Sequence, residues 1–230
     1  MHIHGLQKLS MVDFPGKIAA TVFTGGCNLR CPFCHNALLV TRLTESPRLD
    51  EAEVLQFLRS RKGLLDGVVL TGGEPLLQPD AEDFLARIKD MGFAVKLDTN
   101  GCYPAVLSRI LESGSVDYVA MDIKNRKEKY AATVGLPAFD LAPVEESIRL
   151  LMTGSTDYEF RTTVVKELHT AEDIEAIGQW IRGAKRYFLQ NFEDSGNLIA
   201  GNFSGFSEEE IRVLSRRAAQ YVEYIGVRGY

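Results

Sequence analysis

The chain has few cysteines and lacks any long hydrophobic stretch. Its 230 residues include four cysteines, three of them within one short segment, Cys27 to Cys34. A disulfide framework spreads its cysteines along a short secreted chain, so this grouping favours metal or redox chemistry. No apolar run approaches the roughly 18 residues of a membrane-spanning helix, and the N-terminus has no basic segment followed by an apolar one. We therefore expect a cytoplasmic protein.

The chain also has fewer basic than acidic residues. Lys and Arg number 26 against 31 Asp and Glu, which gives a formal net charge of −5. Nucleic-acid-binding domains are usually basic, so we expect no nucleic-acid partner, and we expect no membrane partner either. The hydrophobic share of 45% and the charged share of 25% are close to those of ordinary globular proteins. This composition excludes disorder as the main state.

Short apolar segments alternate with amphipathic ones along nearly the whole chain. The pattern predicts six strands and six helices in alternation; the strands are 18–23, 68–70, 93–97, 116–121, 158–165 and 185–189, and the helices are 51–62, 80–91, 104–113, 143–153, 171–182 and 207–220. Such alternation is typical of a parallel sheet covered by helices, and six units are two short of an eightfold barrel. We expect an α/β fold, a partial (β/α)6 open TIM-like barrel with the helices outside.

This barrel is predicted to form a single domain over residues 1–230. It comprises an N-terminal segment, 1–17, a cysteine loop, 24–36, and a C-terminal loop, 190–206. Polar, turn-forming motifs follow five of the six predicted strands. In parallel α/β folds these turns share one rim, and that rim carries the ligand site.

The cysteine loop has the spacing C-x3-C-x2-C. Three thiolates, from Cys27, Cys31 and Cys34, can hold three corners of a four-iron four-sulfur (4Fe-4S) cluster and leave the fourth iron open. Two other metal interpretations stay open: a zinc site that adds His35, and a haem attached to the C-x-x-C-H segment 31–35. Burial of the three thiols as small apolar groups fits less well, because Gly, Pro, Asn and Arg surround them.

Several motifs together resemble one enzyme family. The cysteine loop after the first strand, with an aromatic before its last cysteine, and Gly72-Gly73-Glu74-Pro75 after the second strand are similar to the two signatures of the radical S-adenosylmethionine (radical SAM) superfamily. Within it, the chain resembles the glycyl-radical-enzyme activases. The segments that carry this resemblance are 11–16, 34–36, 97–101 and 121–124. The opening segment, 5–10, and the length most resemble the activases of anaerobic ribonucleoside-triphosphate reductase.

The resemblance implies a 4Fe-4S cluster on Cys27, Cys31 and Cys34 and a SAM molecule on its open iron. It also implies a set of SAM-binding residues, in which Phe33 contacts the adenine and the Gly-Gly-Glu turn meets the methionine ammonium group. The set is Phe33, His35, Asn36, Gly72, Gly73, Glu74, Pro75, Thr99, Asn100, Asp122, Lys124, Arg161 and Gln190. One departure concerns the sixth strand, where several activases have a histidine and this chain has Gln190 and Asn191.

Two further sites are implied by the same resemblance. A monovalent cation is expected beside the cofactor, held by Asp98, Thr99, Met121 and Asp122, since oxygen donors suit a hard cation. On spacing alone, segment 98–101 is equally well read as a plain turn. Asp13 aligns with the position that meets the target peptide.

The implied reaction is reductive cleavage of SAM followed by removal of a hydrogen atom from a glycine of a partner enzyme. The expected partners are a glycyl radical enzyme, with anaerobic ribonucleotide reductase favoured over pyruvate formate-lyase, and an electron donor such as flavodoxin or ferredoxin. Two alternatives remain at this point: a radical SAM enzyme with a small-molecule or peptide substrate, and a zinc or redox binding module without enzymatic activity.

Overall fold

The computed structural model describes residues 1–194, 196 and 198–229. The described chain divides into two compact units. Unit 1 comprises Met1–Asn28, Leu38–Val119 and Gly154–Asp157; unit 2 comprises Leu29–Ala37, Ala120–Thr153 and the described residues from Tyr158 onward. The expected single domain over 1–230 stays a prediction, and residues 195 and 197 of the expected loop 190–206 lie outside the described residues.

Unit 1 contains a sheet of four strands with helices between them. The strands are β1 (Ile3–Ser10), β2 (Ala19–Thr24), β3 (Gly67–Gly72) and β4 (Ala94–Thr99). β1 pairs antiparallel with β2, whereas β2 pairs parallel with β3, and β3 pairs parallel with β4. The helices are α2 (Glu51–Ser60), α3 (Ala81–Asp90) and α4 (Pro104–Glu112), with short 3-10 helices at Leu43–Glu45 and Pro75–Leu77. Helix α1 (Ala37–Thr41) begins on the last residue of the preceding unit 2 segment.

The start of α2 illustrates how local sequence sets an element. The Asp50 side chain accepts hydrogen bonds from the backbone N–H groups of Ala52, at 2.7 Å, and Glu53, at 3.2 Å. Acidic residues in the first turn and Arg59 in the last turn complement the helix dipole. The helix then buries Val54, Leu55 and Leu58 on one side.

A small apolar cluster packs against the unit 1 sheet. Phe14, Ala19, Val69 and Tyr118 are buried together, and Ala94 packs against them. A Cβ at Gly67 would lie 2.9 Å from the carbonyl oxygen of Ala94 and 3.0 Å from the Phe14 ring. Only glycine therefore allows β3 to approach this cluster so closely.

Unit 2 also combines parallel strands with helices. Its strands are the greater part of β6 (Asp157–Val164), β7 (Tyr187–Asn191) and β8 (Ile225–Arg228), and β6–β7 and β7–β8 pair parallel. Strand β5 (Tyr118–Asp122) ends in this unit. The helices are α5 (Lys127–Thr133), α6 (Ala142–Thr153), α7 (Ala171–Trp180) and α8 (Glu208–Ala218). Helix α8 begins with a reciprocal capping pair: the Ser207 hydroxyl accepts from the N–H of Glu210, and the Glu210 carboxylate accepts from the N–H of Ser207.

The six predicted strands and six predicted helices are all confirmed, but five strands end later than predicted. β2 ends one residue later, at Thr24, and β3 two residues later, at Gly72. β4 runs through Asp98 and Thr99, β5 through Asp122, and β7 through Gln190 and Asn191. These polar residues were expected in turns after the strands. Their side chains instead alternate with their strand neighbours across the two faces of a sheet.

Among the described elements, β1, β8, α1, α5 and the two 3-10 helices were not predicted from the sequence. Each is short, polar or half-exposed, so its apolar periodicity is weak. In the part of the chain that the structure describes, no helix is long and apolar enough to cross a membrane.

Candidate active site

The cysteine loop contributes to both units. Cys27 and Asn28 belong to unit 1, whereas Cys31 and Cys34 belong to unit 2. Cys31 is buried, and Cys27 and Cys34 are half-buried. The backbone N–H of Cys34 donates to the carbonyl oxygen of Cys31 at 3.1 Å, which makes a tight turn. Among the described residues, no cysteine forms a disulfide.

In unit 1 the two glycines after β3 lie against backbone. Gly72 has a φ of +118°, and a Cβ there would lie 2.3 Å from the nitrogen of Thr24. A Cβ at Gly73 would lie 2.0 Å from the carbonyl oxygen of Gly26. That same oxygen accepts a hydrogen bond from the N–H of Glu74 at 2.8 Å. The Gly-Gly turn is thus built directly onto the beginning of the cysteine loop, where no side chain fits.

Glu74 joins two of the predicted motifs. Its side chain is completely buried. One carboxylate oxygen accepts from the N–H of Leu76 at 3.0 Å and from the hydroxyl of Thr99 at 2.8 Å, and the other accepts from the N–H of Asn100 at 2.7 Å. A buried carboxylate needs such donors, because without them its desolvation is costly. The structure therefore makes Glu74 a link between the turns after β3 and β4; its contact with the cofactor stays a prediction.

Asn100 connects this link to the first cysteine. It is nearly buried, and its amide nitrogen donates to the side-chain oxygen of Asn28 at 2.8 Å and points to the sulfur of Cys27 at 3.8 Å. Its amide oxygen accepts from the N–H of Cys102 at 3.0 Å. Hydrogen bonds to cysteine sulfurs tune the potential of an iron–sulfur cluster. Asn28 is a site residue that the sequence analysis missed.

Within unit 1, Asp98 forms an ion pair with a lysine of its own strand. The ammonium group of Lys96 contacts one carboxylate oxygen of Asp98, and the Thr71 hydroxyl donates to the other at 3.4 Å. Lys96 is only 2% exposed. The sequence analysis gave Lys96 no role, although a charged residue inside the apolar strand 93–97 was a visible signal.

Unit 2 contains a charged triad around the end of β5. Asp122 accepts from Nε of Arg161 at 3.0 Å and from Nζ of Lys124 at 2.9 Å. Burial alone would raise the pKa of Asp122, but the charges of Arg161 and Lys124 outweigh it and lower this pKa from 3.8 to about 2. Burial would lower the pKa of Lys124, but the Asp122 charge raises it above its ordinary value. Three residues predicted to bind the cofactor thus lie together.

The depressed pKa of Asp122 gives a stability prediction. A carboxyl group with a folded pKa of about 2 and an unfolded value of 3.8 contributes about 2 kcal/mol at neutral pH. This contribution is complete above about pH 4 and is lost as the pH falls toward 2. Asp122→Asn should therefore lower the free energy of unfolding by about 2 kcal/mol. Anaerobic denaturant titrations should find this same loss at every pH from 8 to 5.5.

A matched control comes from the exposed pair of Glu146 and Arg149 in α6. Glu146→Gln should leave the free energy of unfolding nearly unchanged, because solvent screens exposed ion pairs. A cost for Asp122→Asn that shrinks between pH 8 and pH 5.5 would contradict the assignment.

Aromatic rings surround the second half of the cysteine loop in unit 2. Phe33 is buried and meets the Phe203 ring edge-on, with 6.4 Å between ring centres. The exposed His35 meets the Phe192 ring at 5.1 Å, and partial desolvation, followed by the charge of Lys124, lowers the pKa of His35. The sequence analysis missed Phe192 and Phe203 because single aromatic residues in a loop carry no pattern.

The remaining predicted residues occupy varied positions. Pro75 is buried at the start of a 3-10 helix, and Asn36 is half-buried. Met121 is completely buried in β5, and Gln190 lies in β7 between Thr163 of β6 and Arg228 of β8. Within the described ranges, no three His, Cys, Asp or Glu side chains are grouped so that they could hold a single metal ion.

The donor set fits the implied cofactors. Three thiols on one loop, an amide N–H directed at one of their sulfurs and a side-chain-free turn packed on the same loop are what a cluster with an accessible iron requires. In unit 2 the triad of Asp122, Lys124 and Arg161 carries one more positive than negative charge. An excess positive charge of this kind suits an anionic group such as the carboxylate of SAM.

Comparison with known sequences agrees with this geometry. Residues 21–181 match the model of the radical SAM superfamily. A protein of Methanocaldococcus jannaschii that is named as a glycyl-radical enzyme activating enzyme is 33% identical over 98% of this chain and 95% of its own length. The pyruvate formate-lyase-activating enzyme of Clostridium pasteurianum is 36% identical over 83% of this chain and 87% of its own.

Solved structures show the same fold at low sequence identity. SuiB of Streptococcus suis, bound to its precursor peptide SuiA, covers 91% of this chain and matches over 48% of its own, with a TM-score of 0.71 and 15% identity. A domain of pyruvate-formate lyase-activating enzyme from Bacteroides vulgatus covers 71% of this chain and 99% of its own, with a TM-score of 0.58 and 18% identity. These likenesses confirm the predicted fold class.

The family settles which of the open cofactor interpretations applies. Zinc and haem were both compatible with the cysteine spacing, whereas the superfamily match includes the cysteine loop, the Gly-Gly turn and the strand ends that follow. The Methanocaldococcus jannaschii relative, which matches over nearly its full length, narrows the assignment from the superfamily to the activating enzymes. The chain belongs to the radical SAM superfamily, among the glycyl-radical enzyme activating enzymes, and its cofactors are a 4Fe-4S cluster and SAM.

Proposed function

We propose that this chain activates a glycyl radical enzyme by removing a hydrogen atom from one backbone glycine of that partner. The observation that carries the proposal is the match to an activating enzyme over 98% of this chain and 95% of the relative. With the cluster and SAM bound, one electron from a reductant and one hydrogen atom from the glycine convert SAM to methionine and 5′-deoxyadenosine and leave a glycyl radical.

The chain's own residues hold and tune these groups. Cys27, Cys31 and Cys34 hold the cluster, and the amide of Asn100 donates toward Cys27. The Gly72–Gly73 turn offers backbone without side chains, so a ligand can approach it closely. We assign these residues their roles by their placement and by the family.

The triad in unit 2 is assigned to the carboxylate of SAM. Arg161 and Lys124 both contact Asp122, so the aspartate fixes their positions and leaves an excess positive charge. A fixed positive charge in a mostly buried place binds a carboxylate more strongly than a mobile surface lysine does. Phe33 is assigned to the adenine, which an apolar ring face can contact.

For the partner, we propose anaerobic ribonucleoside-triphosphate reductase, with flavodoxin or ferredoxin as the electron donor. The opening segment, Gly5 to Ser10, and the chain length support this choice over pyruvate formate-lyase. In the structure this segment is most of β1, the antiparallel strand at one edge of the unit 1 sheet. The relatives named as pyruvate formate-lyase activating enzymes make that partner the alternative.

The test is electron paramagnetic resonance after anaerobic incubation of the reduced protein with SAM and each candidate partner. The proposal predicts a glycyl radical signal on the reductase and one 5′-deoxyadenosine per radical formed. The matched control is the same reductase with its acceptor glycine replaced by alanine, which should give no such signal. A signal on pyruvate formate-lyase alone would overturn the choice of partner, and 5′-deoxyadenosine without a protein radical on either would overturn the proposed function.

Asp13 is proposed to contact the partner. Its carboxylate accepts from the Thr21 hydroxyl at 2.7 Å, and the adjoining side chains of Met11 and Val12 are 73% and 83% exposed. A fixed carboxylate beside exposed apolar groups suits an extended peptide with free N–H donors. Asp13→Ala should raise the KM for the partner about tenfold, a loss of about 1.4 kcal/mol.

The control for Asp13 is Asp90→Ala, on the exposed end of α3. Both variants should cleave SAM without partner at the wild-type rate. An unchanged KM in Asp13→Ala would show that Asp13 has no part in partner binding.

A further inference from the structure

The two carboxylates expected to hold a monovalent cation are already paired with positively charged side chains of the chain itself. The expectation joined Asp98 and Thr99 of unit 1 with Met121 and Asp122 of unit 2. A monovalent cation needs oxygen atoms with negative or partial negative charge to spare.

In unit 1 the critical group is Lys96. It lies two residues before Asp98 in the same strand, so both side chains point to the same face of the sheet. Its ammonium group contacts the Asp98 carboxylate, and the side chain is 2% exposed, against 14% for Asp98. A lysine buried to this degree is costly unless it is paired, so the carboxylate and the ammonium fix each other.

The other expected ligands are also engaged. The Thr99 hydroxyl donates to Glu74 at 2.8 Å and accepts from the N–H of Gly101 at 3.1 Å. In unit 2, Asp122 contacts both Lys124 and Arg161. Met121 is completely buried, and it was expected to contribute its backbone carbonyl oxygen, since its thioether is too soft for a hard cation.

In both units, the summed side-chain charge determines whether a free cation can bind at the carboxylate. Lys96 and Asp98 sum to zero, and Lys124, Arg161 and Asp122 sum to one positive charge. A further cation at either carboxylate would meet a fixed positive group at close range. The residues present therefore do not fit a bound alkali cation.

We infer that the ammonium group of Lys96 permanently occupies the place of the monovalent cation at Asp98, so SAM binding by this enzyme does not depend on alkali cations. Lys96 is thus a positioning residue: it acts by holding the Asp98 carboxylate, and a tethered cation avoids the entropic cost of binding a free one. The inference rests on the proposed SAM site, but not on the identity of the partner.

The test is the SAM affinity of the cluster-loaded protein, measured by equilibrium dialysis in potassium, sodium or tetramethylammonium chloride at one ionic strength. The wild-type affinity should differ by less than about twofold among the three salts. Lys96→Met keeps the length of the side chain but frees the Asp98 carboxylate. Its affinity should fall about tenfold in tetramethylammonium and recover in potassium or sodium. Lys96→Arg should stay independent of the salt.

Two controls separate this role from simple support of the fold. Lys89→Met removes an exposed lysine that pairs with Asp117 in the same unit, and it should leave the affinity unchanged in all three salts. The double variant Lys96→Met with Asp98→Asn removes both charges, so it should show no recovery in potassium. This variant also keeps the test decisive if Lys96→Met fails to fold.

Either of two results would overturn the inference. One is a wild-type affinity that needs potassium or sodium; the other is a loss in Lys96→Met that no alkali cation restores. Both results are compatible with full cleavage of SAM by the wild-type protein. The proposed function would fail in a different way, by the absence of the glycyl radical.

Discussion

Replacing Cys27, Cys31 or Cys34 with alanine is expected to abolish the cluster and all cleavage of SAM. Each thiol is proposed to supply one of three ligands, and the loop has no fourth cysteine to substitute for it. Anaerobically reconstituted wild-type protein should contain about four iron and four sulfide per chain. Each of the three variants should retain less than about a quarter of that iron and form no 5′-deoxyadenosine.

The control for this series is Cys102→Ala. Cys102 lies two residues before α4, outside the cysteine loop, and its backbone N–H donates to the side-chain oxygen of Asn100 at 3.0 Å. Alanine keeps that N–H, so iron content and SAM cleavage should stay at the wild-type level. Loss of the cluster in Cys102→Ala, or its retention in any one of the other three variants, would contradict the ligand assignment.

The second large effect is expected from Gly73→Ala. The added methyl group would lie 2.0 Å from the carbonyl oxygen of Gly26, which is backbone and cannot move aside as a flexible side chain can. The turn and the start of the cysteine loop must separate, which also breaks the hydrogen bond from Glu74 N–H to that oxygen. The free energy of unfolding should fall by about 3 kcal/mol, and SAM binding should become undetectable by equilibrium dialysis.

Gly201→Ala provides the comparison for Gly73→Ala. A Cβ at Gly201 meets nothing within 4 Å, and its φ is not positive. Denaturant titration should show a change of less than about 0.5 kcal/mol, and SAM should bind normally. If Gly73→Ala also kept its stability and its SAM affinity, the close packing of the Gly-Gly turn on the cysteine loop would be wrong.

The fold was largely predictable because its strands and helices carry strong periodicity. The apolar run 18–23 and the amphipathic segment 51–62 are found as β2 and α2 with small shifts at their ends. By contrast, six of the eight residues of β1 are half-buried or exposed, in two blocks rather than in alternation, and β8 has four residues, all half-buried. The pairing of such strands is decided by their neighbours, β2 and β7, rather than by their own sequence.

The site was predictable in its residue types but not in its contacts. Motif order indicated Glu74, Asn100 and Asp122, yet nothing local shows that Glu74 accepts from Thr99 at the end of β4, because that contact spans 25 residues. Because β4 extends through Thr99, the structural role of Asp98 differs from the predicted one. As part of a turn it was a candidate cation ligand; as part of a strand it shares a face with Lys96.

The central claim is that three cysteines leave one iron of a 4Fe-4S cluster open to SAM. The most direct measurement is the electron paramagnetic resonance spectrum of the reduced, air-free protein before and after addition of SAM, together with iron, sulfide and zinc analysis. The account predicts about four iron and four sulfide per chain, a spectrum that changes on addition of SAM, and release of methionine with 5′-deoxyadenosine. One zinc without sulfide, or a cluster whose spectrum is unchanged by SAM and that never cleaves it, would contradict the account.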